Sequence, residues 1–296
     1  MNAIARPGAV GKVPTGRSVA NAMTVDVEDY FQVQAFAKIV SPADWDNFNC
    51  RVEANTDRIL AQFDAAGARG TFFTLGWVAE RYPAMIRRIV AAGHELASHG
   101  YGHAPVYSLG ADGFRNDIVH AKNILEQIGG VAVRGYRAPT FSMDARTPWA
   151  HAILEETGHA YSSSTYPIRH DLYGDPNAPR FPFRVAGTGL WELPMTTVRL
   201  GQQNLPCAGG GYFRLLPYAL FRMGVRRFNR IERQPAIFYF HPWEIDPAQP
   251  RMNNVGAASR FRHYVNLGAM SGRLDRLLRD FAWGRMDGVF APLLAA

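Results

Sequence analysis

Two histidines four residues apart, His99 and His103 in Ser98-His99-Gly100-Tyr101-Gly102-His103, have the spacing at which one short turn offers both imidazoles to a single metal ion. An acidic cluster, Asp26-Val27-Glu28-Asp29, closes an apolar run upstream and brings carboxylates to the set. A catalytic zinc-type centre needs about three protein ligands and an open position, which two imidazoles and one carboxylate satisfy. Such an ion brings the pKa of a water toward neutrality and polarises a substrate carbonyl, so the constellation points to a hydrolase. A His-x-x-x-His pair alone is weak evidence, since histidines more often lie in solvent or in the core. The upstream acids give it weight.

Apolar, strand-like runs alternate with segments of helical period along the chain, a pattern that favours a parallel sheet or barrel over a sandwich. Residues 22–27 read as a first strand and 52–66 as a helix with Ile59, Leu60 and Phe63 on one face. Strands follow at 70–75, 93–98, 134–137 and 237–241, with helices at 83–92, 112–128 and 272–281; Pro83 suits a first helical turn, where its missing N–H costs little. Each chemically interesting group falls at or just after the C-terminal end of a strand, where parallel α/β folds assemble their sites.

The chain has 296 residues, 47% of them hydrophobic, enough for one large core and for a single α/β barrel to take up its length. The reading is a leader over residues 1–21, rich in Gly, Pro, Ala and Arg and expected to be flexible, followed by one catalytic domain over 22–296. A net charge of +7 comes from 32 Lys and Arg dispersed among 25 Asp and Glu, and no nucleic-acid motif accompanies it. Cys50 and Cys207 lack ligand spacing and read as free buried thiols in a reducing compartment, so the metal is not held by thiolates. No signal-peptide apolar stretch and no run of about 18 apolar residues occurs, which points to the cytoplasm without a membrane span. The closing helix with Arg273, Arg276 and Arg279 is compatible with peripheral association at the inner membrane, an ordinary surface helix being the preferred reading.

The ordered set Asp26, then Ser98 to His103, then Arg137-Ala138-Pro139, then Phe240-His241-Pro242 resembles the polysaccharide deacetylases of carbohydrate esterase family four, which share the NodB-homology domain. A closer resemblance, to the branch associated with exosortases and exopolysaccharides, is carried by Val25 to Phe31, Gly135 to Ser142, Trp191-Glu192-Leu193-Pro194, Gly209-Gly210-Gly211-Tyr212-Phe213 and Phe238 to Ile245. What the resemblance implies is an α/β fold, a distorted (β/α) barrel, that removes N-acetyl groups from an amino-sugar-containing glycan and releases acetate. The implied cofactor is a divalent metal, zinc first, with cobalt or nickel as alternatives.

Carried over by resemblance, Asp26 is the catalytic base, His99 and His103 are metal ligands, Arg137 orients the base through a two-pronged contact and keeps it ionised, and His241 is the general acid. The remaining ligand is the second acid of the first motif, and here both Glu28 and Asp29 are available. Strand alternation puts Glu28 on the face of Asp26, whereas a tight turn after Val27 favours Asp29. Pro139 fixes a turn from which the amide of Thr140 or Phe141 would meet the developing oxyanion. The family's separate aspartate partner for the late histidine has no clear counterpart, and Glu192 is a possible substitute.

Gly209-Gly210-Gly211 lacks the Lys-Ser or Lys-Thr of a phosphate loop and reads as a close backbone approach. Trp191, Trp243, Tyr136 and Phe141 are aromatic candidates for sugar stacking, although such residues are as often core. His94, His120, His151, His159, His170 and His263 have no motif context and read as structural or surface residues. Two other functions are kept open: a hydrolase of a small cyclic or linear amide, and a catalytically silent glycan-binding barrel.

Overall fold

In the computed structural model, which describes residues 7–11, 13 and 19–295, the long apolar strand Ala20–Val27 is the hub of the sheet. The strands are β1 (Pro7–Val10), β2 (Ala20–Val27), β3 (Thr71–Thr74), β4 (Glu95–Ser98), β5 (Gly135–Tyr136), β6 (Tyr161–Ser162), β7 (Phe183–Val185), β8 (Trp191–Glu192), β9 (Thr197–Leu200), β10 (Gln203–Pro206), β11 (Ile237–Phe240) and β12 (Ala282–Gly284). Ten of them form one curled sheet in the order β1-β7-β8-β6-β5-β4-β3-β2-β11, with β12 also on β2, while β9 and β10 make a separate hairpin. Neighbours from β8 to β11 run parallel; β7 is antiparallel to β8 and to β1.

Period-two alternation sorts the strand residues between two cores. Met23, Val25, Val27, Phe72, Leu96, Phe238 and Phe240 pack outward against helices. Ala22, Phe73, Ala97, Ile237 and Tyr239 point into the concave interior. Burial on both faces explains why these strands read as nearly continuous apolar runs. Asp26 shares the inward parity of Ala22, so a carboxylate stands at the C-terminal mouth of the curled sheet.

The helices are α1 (Val52–Ala65), α2 (Gly76–Arg81), α3 (Pro83–Ala91), α4 (Val106–Gly129), α5 (Ala150–Glu156), α6 (Gly210–Leu215), α7 (Tyr218–Arg227), α8 (Ala257–Tyr264), α9 (Leu267–Asp280), α10 (Met286–Val289) and α11 (Ala291–Leu294). Helix α1 turns inward the face the period indicated, with Ile59 and Phe63 buried and Leu60 partly buried beside them, and α3 buries Met85, Ile86 and Ile89. Helix α4 begins at Val106, ahead of the expected 112, because its first turn is offset by Gly110 at φ 68°.

The expected distorted α/β barrel stands, in a half-closed form, while the expectation for the leader changes. The barrel is distorted to the point of being open: among the described residues no ladder joins β11 to β1, and Met286, Phe290 and Leu293 of the C-terminal segment fill the interior core instead. The leader over 1–21 is not uniformly flexible. Residues 7–10 pair with β7, Gly11 N donates to Pro182 O at 2.8 Å, and buried Val13 N donates to Gln234 Oε1 at 3.3 Å. The rest of that expectation, at 1–6, 12 and 14–18, lies outside the described residues.

Candidate active site

Beyond the end of β2 the chain bends, with Glu28 N donating to Asp26 O at 3.0 Å, and the two acids part ways. Glu28 stays on the inward face beside the histidines. Asp29 turns outward: its carboxylate accepts Tyr30 N at 2.8 Å, Arg51 N at 2.6 Å and Val52 N at 2.8 Å. It therefore satisfies the free N–H groups at the start of α1, and of the two acids it is Glu28 that stands with the histidines. Burial is the main effect on Asp29 and pushes its carboxyl up to about 6 against these hydrogen bonds.

The histidine turn leaves β4 directly. His99 N donates to Thr74 O at 3.0 Å, and Asp117 of α4 accepts Tyr101 N at 3.1 Å. Gly100, at φ 77°, sits where a Cβ would meet Asp117 Oδ2 at 2.7 Å, so that approach requires glycine. His103 itself adopts φ 53°, a left-handed conformation that costs energy outside glycine. His99 Nδ1 is 2.7 Å from Arg137 O; a carbonyl only accepts, so the proton lies on Nδ1 and Nε2 presents a lone pair. Burial pushes the His99 imidazolium down to about 4, keeping the ring neutral.

Glu28, His99 and His103 bring one ligand atom each within 4.8 Å of one another, all buried. Glu28 Oε2 is buried with no hydrogen-bond donor of proper geometry and lies 2.7 Å from His103 Nε2. An orphaned carboxylate oxygen facing an imidazole nitrogen, with a second lone pair beside it, suits a divalent cation with nitrogen and oxygen ligands. Burial opposes charge on Glu28, but His103 and His241 outweigh it and hold the carboxyl down to about 2.

Arg137, fully buried, anchors the other side. Its Nη1 donates to Asp26 Oδ1 at 2.6 Å and to Thr24 Oγ1 at 2.7 Å, while Nε and Nη2 donate to Ser163 O and Oγ, both at 3.1 Å. The contact with Asp26 is thus single, not two-pronged, because Ser163 takes the rest of the fork. Glu192 supports that arrangement by accepting Ser164 N and Thr165 N at 2.8 Å each, and it faces His151 at 3.2 Å. None of these contacts reaches His241, so Glu192 is not that residue's partner. Pro139 is buried in a turn whose next two residues, Thr140 (φ 55°) and Phe141 (φ 49°), are both left-handed. Phe141 N donates to Ala138 O at 3.1 Å, which leaves Thr140 as the amide available to a substrate oxygen.

His241 follows β11, and its partner is Glu244. Nδ1 stands 2.8 Å from Glu244 Oε1, and Arg214 Nε donates to Glu244 Oε2 at 2.7 Å. The His241 Nε2 atom lies 3.6 Å from Glu28 Oε1. Burial lowers the His241 imidazolium, but the carboxylates of Glu28 and Glu244 outweigh it and raise it to about 9. The triple glycine makes this packing possible: a Cβ on Gly210 would lie 2.1 Å from Glu244 Oε1, and one on Gly209 2.8 Å from the Tyr239 ring.

Asp26, Glu28, His99, His103, Thr140 and His241 all line one cavity of about 400 Å³. Phe141 and Trp243 line it too, whereas Tyr136 and Trp191 are packed elsewhere. Trp243 also has a positioning task, since its Nε1 donates to Glu28 Oε1 at 3.2 Å and its ring stacks on His241 at 5.2 Å. His170, read as structural or surface, lines the cavity with Tyr173 and Tyr212. Glu244, Arg214 and Asp117 were missed. Glu244 had a local signal, an acid three residues after a strand-terminal histidine, whereas Arg214 and Asp117 reach the site only through tertiary packing.

Residues 44–161 match the family model described as polysaccharide deacetylase, and residues 163–291 match a domain of unknown function, DUF3473. The chain thus carries a polysaccharide deacetylase domain of the NodB-homology, carbohydrate esterase family four type. The two matched stretches contribute strands to the same sheet, and His241, Glu244 and Arg214 come from the second.

A peptidoglycan-N-acetylglucosamine deacetylase of Bacillus cereus is 33% identical over 84 residues, 28% of this chain and 30% of its own length. A chitooligosaccharide deacetylase of Sinorhizobium fredii is 36% identical over 87 residues, 28% of this chain and 40% of its own. The matched stretch thus spans less than half of either relative. Among solved structures, a Mycobacterium smegmatis protein assigned to the polysaccharide deacetylases superposes with TM-score 0.57 at 24% identity, covering 92% of this chain and 94% of that one. The Bc1960 peptidoglycan N-acetylglucosamine deacetylase superposes with TM-score 0.51 at 14% identity, covering 93% and 89%. These superpositions establish the fold.

Proposed function

We propose that the chain is a divalent-metal-dependent deacetylase that hydrolyses N-acetyl groups of an amino-sugar-containing polysaccharide, an exopolysaccharide, and releases acetate. The observation that carries this reading is the convergence, in one cavity, of the Glu28, His99 and His103 cluster with Asp26 on one side and His241 on the other.

Glu28, His99 and His103 would hold a divalent cation, zinc first and cobalt or nickel as alternatives, which would supply Lewis acidity toward the acetamide carbonyl and toward a water. Asp26, held by Arg137, takes the proton of the attacking water as general base. Thr140 N–H donates to the carbonyl oxygen as it gains charge. His241, its Nδ1 engaged by Glu244, presents Nε2 to the departing nitrogen and gives it a proton as the carbon–nitrogen bond breaks. The products are acetate and a free amino sugar.

Zinc- or cobalt-loaded protein is expected to release acetate, with an equal amount of new free amine, from N-acetylglucosamine oligosaccharides. Asp26→Asn and His241→Ala should keep metal content while losing about a hundredfold or more in turnover. Loaded protein that releases no acetate from any N-acetylated oligosaccharide overturns the reading.

A further inference from the structure

Helix α7 and the turn that extends it to Glu232 bury Phe221, Val225 and Phe228, yet the opposite side is not an ordinary polar face. Leu220, Met223 and Ile231 are 51%, 60% and 60% exposed. They share residues 218–233 with five arginines and one glutamate. Arg222 pairs with Asp280, and Glu232 with Arg180. Among the described residues Arg226, Arg227, Arg230 and Arg233 enter no ion pair.

The β9–β10 hairpin extends this ridge. Val198 packs beneath Gly224, where a Cβ would lie 3.5 Å from Val198 Cγ2. Leu205 is the cross-strand partner of Val198, and Leu200 lies two residues along the strand, so all three share one face of the ladder. Leu200 and Leu205 are 68% and 40% exposed. At the other end α6 leads into α7 from Leu215, which is exposed and lines the catalytic cavity together with exposed Leu172 and Phe261.

Exposed large apolar side chains among unpaired guanidiniums are the composition of a surface that sits at a lipid interface. We propose that the α7 ridge and the β9–β10 hairpin dock the protein on an anionic lipid bilayer. Charge complementarity selects the occupant: the unpaired charges are all arginine and suit a surface of phosphate headgroups. Long, flexible apolar and guanidinium side chains also suit a deformable fluid surface better than a shaped protein partner. The closing helix α9 does not serve this role through Arg273, whose Nη1 is spent on the carbonyls of Phe213, Arg214 and Leu216 at 2.8, 2.7 and 3.0 Å. Docking stands apart from the reaction proposed above and needs none of its residues.

The test is flotation of the full chain with vesicles of phosphatidylcholine alone and of phosphatidylcholine containing about 30% phosphatidylglycerol. Wild-type protein should float only with the anionic vesicles and be released as salt is raised. Arg226→Glu with Arg227→Glu should lower partitioning by about tenfold or more, and Leu220→Glu with Met223→Glu should lower it comparably. Both double variants should melt like the wild type and turn over soluble oligosaccharide at the same rate, since none of the four side chains reaches the cavity. Wild-type protein that stays off anionic vesicles overturns the proposal, even if it binds polyglutamate through the same arginines. So does equal flotation by the charge-reversed variant.

Discussion

Glu244 Oε1 accepts the main-chain N–H of His241 at 3.1 Å and stands 2.8 Å from its Nδ1, so a residue three positions along the chain fixes both the backbone and the ring of the proposed acid. Burial opposes charge on Glu244, but Arg214 and His241 outweigh it and hold its carboxyl below the usual range. In the proposed mechanism this carboxylate takes the place of the separate aspartate that the family resemblance implies. Glu244→Gln keeps the shape and removes the charge. Turnover should fall by about tenfold to a hundredfold while metal content is unchanged, as read by acetate release and metal analysis on the same sample.

The triple glycine gives a paired prediction. At Gly210 a methyl would meet the Glu244 carboxylate at 2.1 Å, whereas at Gly211 nothing lies within 4 Å. Gly210→Ala should displace Glu244 and destabilise the fold by about 1–3 kcal/mol. Gly211→Ala should melt within a degree or two of the wild type, and thermal denaturation of the two variants side by side checks this.

Asp117 touches no ligand atom but ties down the turn that carries both histidines. Removing it as Asp117→Ala frees Tyr101 N and leaves the left-handed conformations of Gly100 and His103 less supported. Metal affinity should fall by about tenfold to a hundredfold, measured by competition with a chromophoric chelator. Unchanged affinity would remove Asp117 from the site.

Glu95 lies at the opposite end of the interior, where its carboxylate meets Tyr161 OH at 2.8 Å and Thr71 Oγ1 at 2.5 Å. Burial, with Asp287 adding repulsion, raises its carboxyl from 4.5 to about 7. A group whose folded pKa is raised contributes stability that is fully present below its unfolded pKa and is lost as pH climbs through the folded value. The melting temperature should therefore decline between about pH 4.5 and pH 7 through this group and level off above. Glu95→Gln should flatten that slope in a calorimetric pH series.

The sequence exposes the parts of the site that depend on strand periodicity. Asp26 and Glu28 share the inward parity of β2, and His99 and His241 come straight from strand ends. It does not expose what depends on the path of a turn. Asp29 has the composition of a ligand, and only the arrival of the α1 N-terminus beneath it gives it another task. Arg137 offers a two-pronged fork by chemistry, yet Ser163, brought alongside by β6, takes half of it. The helices with strong apolar stripes, α1 and α3, are legible almost to the residue. Short α2 and the strand over residues 7–10 are not, since neither has the length to show a period.

The most direct test of the metal centre is the stoichiometry of cobalt bound to the full chain at equilibrium, in the wild type and in Glu28→Ala and Asp29→Asn variants. Binding of one ion per chain to the wild type and to Asp29→Asn, with loss of that ion in Glu28→Ala, is the predicted result. Undiminished binding by Glu28→Ala, or loss confined to Asp29→Asn with the fold intact, contradicts a centre built from Glu28, His99 and His103.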